Sequence, residues 1–162
     1  MTTTADDLLT RLKAATQWPD NTRVLKEIRR VAESGTVDLS ILLPDLFRAL
    51  SGSDEWVAQD AAEALGAIRD PCAVAPLCKV LGYVEHVLPD DLGSNRDHAI
   101  LAHARVARFE ADVRYEAAKA LGRIGDPGAL PALRASVANT EETQPVRDVA
   151  QRAIEEIENS DS

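Results

Sequence analysis

Three histidines, two cysteines and a scatter of carboxylates are the residues of this chain able to do chemistry, and their spacing decides how far that reading goes. His86, His98 and His103 fall in one stretch with Glu85, Asp90 and Asp97, a composition from which a metal site can be built. The geometry is poor. His98 and His103 are five positions apart, so on a helix they point about 140° from each other, whereas a helical zinc pair stands at i and i+4. Metal ligands must converge within narrow distances, so the three read as surface side chains and no bound metal is expected. Cys72 sits in the first turn of an expected helix, where the dipole lowers a thiol pKa. A reactive thiol also needs an activating partner, and none can be assigned. Cys78 reads as half-buried packing. There is no glycine-rich phosphate loop and no nucleophile elbow. We expect no catalytic residues and no cofactor, which weighs against an enzyme.

The elements that position these residues come from a repeat. Val57–Leu81 reads VAQDAAEALGAIRDPCAVAPLCKVL and Val113–Val137 reads VRYEAAKALGRIGDPGALPALRASV, identical at 11 of 25 positions without a gap. A partial copy starts at Val146. Self-similarity at this period marks a solenoid, whose units bury apolar faces only against their neighbours. Val113, Ala117, Ala120, Leu121 and Ile124 recur at helical spacing and form one apolar stripe. Arg114, Glu116, Lys119 and Arg123 fall between them, and most are expected to be solvated. Gly66 and Gly122 follow the stripe leucines. A mid-helix glycine costs about 1 kcal/mol against alanine, so its recurrence predicts a place where a neighbouring helix comes close. Asp70-Pro71 and Asp126-Pro127 then turn the chain and start a second helix, aspartate capping free amides and proline occupying the first helical position. That helix buries Val74 and Leu77 in one copy, Leu130 and Leu133 in the other.

A weaker unit precedes these: Asn21–Ser34, a turn at Gly35–Asp38, and a second helix over Leu39–Leu50. Asp6–Ala15 reads as a capping helix ended by Trp18-Pro19. The fold expected is all-α, an α-solenoid of stacked antiparallel helix pairs with about 3.5 repeats plus the N-terminal cap. It forms one domain over 1–162, with a disordered tail at about 159–162. Val113 to Val146 is 33 residues but Val57 to Val113 is 56, which places an insert at about 82–112. Its front reads as a loop and its back, Arg96–Glu110, as a helix running toward Val113. Insertions in solenoids project from one face, often the binding face.

The pattern VRxEAAxALGxIGDPxALPAL resembles the short HEAT-like repeats of the phycobilisome-lyase type, over about residues 21–157. The resemblance implies a scaffold, a bilin lyase-type chromophore-handling subunit, or a di-iron hydroxylase. The hydroxylase repeats carry His-Glu pairs where this chain has Gln59-Asp60, Tyr115-Glu116 and Asp148-Val149, so the iron ligands are missing at those positions. In HEAT-like solenoids the second helices line the concave face, which places Phe47, Arg48, Cys78, Lys79 and Arg134 on it. Trp56 and Tyr83 lie beside the insert and the joint between units, and aromatics favour interfaces; His86, within the insert, joins them as a candidate contact.

Composition narrows the partner. A formal net charge of −9 argues against phosphate-backbone binding, which needs clustered bases, and against anionic membranes. No apolar run reaches the ~20 residues of a membrane span, and Met1–Asp7 carries acids where a secretory signal carries bases. Two cysteines are too few for a disulfide framework, which suits a reducing, cytoplasmic compartment. The expectation is an interaction module that binds a protein or peptide through the second-helix face and the insert. The half-present last unit leaves homodimerisation open.

Overall fold

The computed structural model describes residues 4–15, 20–82 and 111–160, and among them every regular element is helical. Helix α1 spans Ala5–Ala14, α2 Asp20–Ser34, α3 Leu43–Leu50, α4 Glu55–Ile68 and α5 Val74–Leu81. Helix α6 covers 111–124 of the described residues, α7 spans Leu130–Ala138 and α8 Gln144–Ser160. Three hairpins result (α2/α3, α4/α5 and α6/α7), with α1 before them and α8 after. Helix α4 packs along α2 and α3 of the preceding unit, α5 packs on α7, and α7 on α8. The molecule is an α-solenoid.

The core follows from the sequence period. The α4 stripe Ala58, Ala61, Ala64 and Leu65 is buried, as are Val113, Ala117, Ala120 and Leu121 in α6. Leu46, Leu77 and Leu133 occupy equivalent places in the second helices, and each is fully buried. Alanine-rich first helices leave little side chain between axes, so the backbones come close. A Cβ added at Gly66 would lie 2.8 Å from both Cα and Cβ of Ala120, and one at Gly122 would lie 3.0 Å from Cα and Cβ of Ala153. Ala120 and Ala153 hold the same repeat position, so one contact recurs at successive joints.

The turns also recur. Asp70 Oδ1 accepts from the Cys72 amide at 2.8 Å, Asp126 Oδ1 from Gly128 at 2.7 Å, and Asp38 Oδ1 from Ser40 at 3.0 Å. These bonds reach two residues ahead and wind the chain into a 3-10 turn before the α-helix begins at Leu43, Val74 or Leu130. The second helices therefore start three residues later than the Asp-Pro pairs alone suggest. Each described first helix of a hairpin ends on a left-handed residue: Gly35, Arg69 and Gly125, with φ of 65°, 59° and 76°.

Several expectations need correcting. Of the four residues Arg114, Glu116, Lys119 and Arg123, expected to be mostly solvated, Arg114 and Glu116 are each only 7 % exposed, because elements of neighbouring units cover their face. Helix α8 continues through Asn159 and Ser160, where a disordered tail was expected; the Ser160 hydroxyl donates to the Glu156 carbonyl at 2.8 Å. At the edges of the insert, Gly82 closes α5 and Asp112 is already helical. The interior of the insert and Trp18-Pro19 lie outside the described residues.

Ionic contacts tie the units together. Arg11 of α1 donates two bonds to Glu27 of α2, at 3.0 and 2.5 Å. Arg29 of α2 pairs with Glu63 of α4, and Lys26 stands 4.0 Å from Asp60. Arg114 donates to both carboxylate oxygens of Glu142 in the α7–α8 connection, at 2.7 and 3.0 Å. Glu142 also accepts from the Thr143 amide at 2.8 Å. This bridge is buried on both sides, unlike the others, and it fixes where α8 begins.

Two carboxyls are strained by their surroundings. Burial pushes Asp60 above the ordinary carboxylate range, opposed chiefly by Lys26, with Thr22, Glu63 and Arg29 also near. Burial likewise raises Glu116, opposed by Lys119 and Arg123 and reinforced by Glu63. Glu27 is shifted down, mainly by its bond to Arg11.

Three outcomes test this packing. Gly66→Ala should lower the melting temperature even though alanine is the better helix former by about 1 kcal/mol; a rise would show that α4 and α6 have room between them. Glu142→Ala, followed by denaturant unfolding, should cost about 3–5 kcal/mol because it strands a buried guanidinium. The raised carboxyls oppose folding when ionised, so stability should increase as pH falls from neutral through their folded values toward their unfolded ones. Stability should then be lost at lower pH as Glu27 protonates through its depressed value. A pH series of melting curves on Asp60→Asn/Glu116→Gln should lack the first rise and keep the later fall.

Candidate partner-binding face

The second helices α3, α5 and α7 are short, and each spends one side on the core through its buried leucine. What remains outward is fixed by the repeat. One position past the leucine stand Phe47, Cys78 and Arg134; the next holds Arg48, Lys79 and Ala135. Arg48 is 77 % exposed and donates to Asp45 on its own helix at 2.8 Å. Lys79 is exposed in the last turn of α5. Arg134 is 60 % exposed and donates to Glu158 of α8 at 2.8 Å. Between these bases the exposed positions are short: Pro44, Ala75 and Pro131 at one end, Ser51, Gly82 and Ala138 at the other. The three helices carry three bases and one acid, Asp45, in a chain whose formal net charge is −9.

The candidates drawn from the sequence divide into four groups. Arg48, Lys79 and Arg134 share the outer side of the second-helix layer. Phe47 and Cys78 belong to the same ladder but are half-buried and pack on the core, so they contribute an apolar floor more than a protruding contact. Trp56 is 58 % exposed at the start of α4, a first helix, and so does not join the ladder. Tyr83 and His86, like His98 and His103, lie outside the described residues.

The thiols are poor nucleophiles. Cys72 is exposed, but the adjacent Asp70 carboxylate, by hydrogen bond and charge, raises its pKa. Burial raises Cys78, with the Asp126 charge adding to it. The helix-dipole activation considered for Cys72 is therefore outweighed by the residue that caps the same turn. Among the described residues no group of three or more His, Cys, Asp or Glu side chains is placed to hold a metal. None of the described helices is long and apolar enough to cross a membrane.

Sequence reasoning missed the counterions Asp45 and Glu158. The Asp45–Arg48 pair has the i, i+3 spacing that brings side chains together on a helix, a signal present in the sequence. Arg134–Glu158 needs the packing of α7 on α8, which no local spacing reveals.

Comparison with known families agrees with this architecture. Residues 57–83 match the PBS lyase HEAT-like repeat, and residues 95–155 match HEAT repeats. No curated protein matches the sequence significantly. With stacked helix hairpins, a shared glycine-to-alanine joint and these two matches, the chain is a HEAT-like repeat protein, its segment 57–83 being of the PBS lyase repeat type.

Proposed function

We propose that the protein is a non-enzymatic adaptor that binds a protein or peptide through the outer side of α3, α5 and α7 and through the insert at about 82–112. The observation that carries this reading is the segregation of charge. In an acidic chain, the described second helices expose three bases, Arg48, Lys79 and Arg134, among short side chains. HEAT repeats are generally interaction scaffolds, and no convergent set of catalytic groups occurs among the described residues. Free thiols at Cys72 and Cys78 suit a reducing, cytoplasmic setting. Net negative charge disfavours nucleic acid.

Homodimerisation through the last unit is disfavoured by α8. Its apolar positions, Val149, Ala150, Ala153, Ile154 and Ile157, are already buried, and Gln151, Arg152 and Glu155 are exposed. The chromophore-handling alternative draws on the name of the repeat family alone, and no described side-chain constellation adds to it.

The test is affinity capture from an extract of the source cells, comparing wild type with Arg48→Glu, Lys79→Glu and Arg134→Glu. All three positions are exposed, so the variants should fold, and circular dichroism confirms it. Loss of the same captured proteins by the variants is expected. Unchanged capture by all three would remove this face from the function.

A further inference from the structure

The buried arginine of α6 has a twin in α8. Arg114 and Arg147 hold the same repeat position, one residue after Val113 and Val146 in the first helix of their units. In α6 the fork is filled by charge. Nε and Nη2 of Arg114 donate to the two carboxylate oxygens of Glu142 at 2.7 and 3.0 Å, and the two side chains are only 9 % and 1 % exposed. In α8 the same fork has a weaker partner. Nη2 of the half-buried Arg147 donates to the side-chain oxygen of Gln144 at 2.6 Å, while its Nε is buried and has no hydrogen-bond partner among the described residues. That Nε is the atom that makes the shorter bond in the twin. A buried donor without a partner is costly, and a carboxylate matches both arms of a guanidinium where a neutral amide meets one. Stacking does not require arginine here, because α4 carries the buried Ala58 at this position.

We propose that Arg147 receives the carboxylate of a glutamate carried on a loop of a partner protein, seated beside the first turns of α8 as Glu142 is seated beside α6. The site is separate from the second-helix face and does not rest on it. A loop is the fitting occupant for two reasons. Glu142 itself stands in a connection and not in a helix. Further along α8, the exposed Gln151 and Glu155 take the repeat positions that Ala62 and Gly66 fill in α4, and Ala118 and Gly122 in α6, all four of them buried. A close-packed helix therefore finds no matching surface along α8, whereas a loop that reaches only its first turns avoids both side chains. Gln144 keeps the arginine in waiting. Its oxygen holds Nη2 of Arg147, and its amide donates to Asp148 at 2.7 Å. An incoming carboxylate displaces one neutral bond and makes two charge-assisted ones, which are the stronger kind.

The test uses full-length protein with isotope-labelled arginine and two capped synthetic peptides. The first copies the connection over residues 139–145, Asn-Thr-Glu-Glu-Thr-Gln-Pro. The second replaces both glutamates by glutamine. The Nε–H resonance of Arg147 should move with the first peptide, and the second should bind roughly tenfold more weakly, as expected for loss of a charge-assisted pair. The resonance of Arg114, whose carboxylate comes from within the chain, should stay in place. Arg147→Lys keeps the charge but not the fork, so the backbone shifts in the first turns of α8 should fall away, with circular dichroism checking that the variant folds. An Arg147 resonance that ignores the first peptide, or answers both peptides alike, would overturn the proposal. Movement with protein concentration alone would also overturn it, since a second copy would then supply the carboxylate. The captures with the Arg48, Lys79 and Arg134 variants read a different surface, so failure of one proposal is distinguishable from failure of the other.

Discussion

The stack depends on how closely its first helices approach. Gly66 meets Ala120, and Gly122 meets Ala153, with no room for a further carbon at the first contact and little at the second. A glycine in mid-helix weakens that helix by about 1 kcal/mol relative to alanine, so the joint must return more than it loses. It does so by bringing two alanine-rich surfaces into dispersion contact along their length. The buried leucines and isoleucines then fall into line. Leu65 and Leu121, fully buried, stand one residue before the glycines, so the same approach that joins the backbones also closes the core over its largest side chains.

Charge is divided between the two layers of the solenoid. Joints involving the first helices use it internally: Arg11 with Glu27, Arg29 with Glu63, Lys26 with Asp60, and Arg114 with Glu142 in the connection before α8. These pairs choose neighbours, because a helix placed beside the wrong unit would face like charges or none. The second helices carry few charges, and their bases, Arg48, Lys79 and Arg134, are exposed. A unit can thus be specified by its first helix and read by its second, which separates what assembles the fold from what meets a partner.

Much of this was legible in the sequence, for a physical reason. A repeat reports the same environment several times, so the 11 shared positions of the two best copies marked the residues that the stacking geometry constrains. The glycine approach and the burial of Leu65, Leu77, Leu121 and Leu133 were read correctly on that basis, whereas Val74 and Leu130, expected to be buried, are half-buried. What was missed is what repeats do not report. Asp38 performs the same turn as Asp70 and Asp126, but with Leu39 and not proline behind it the resemblance was hidden. The burial of Arg114 and Glu116, two of four residues read as mostly solvated, was not visible because a helical wheel shows one helix, and the surfaces that cover them belong to others. The Arg134–Glu158 pair spans 24 residues, beyond the reach of any local pattern.

The joints also say how such an array changes length. At the eighth and tenth repeat positions α4 and α6 carry Ala64 with Gly66 and Ala120 with Gly122, whereas α8 carries Ala153 with Glu155. Helix α8 is thus equipped to receive a neighbour on one side only. A duplicated hairpin slipped between existing ones would find a matching socket before it and a matching plug after it. The same hairpin placed beyond α8 would meet the Glu155 carboxylate where α4 and α6 offer a bare backbone. Growth by duplication is therefore easiest between units that carry this glycine and alanine pair.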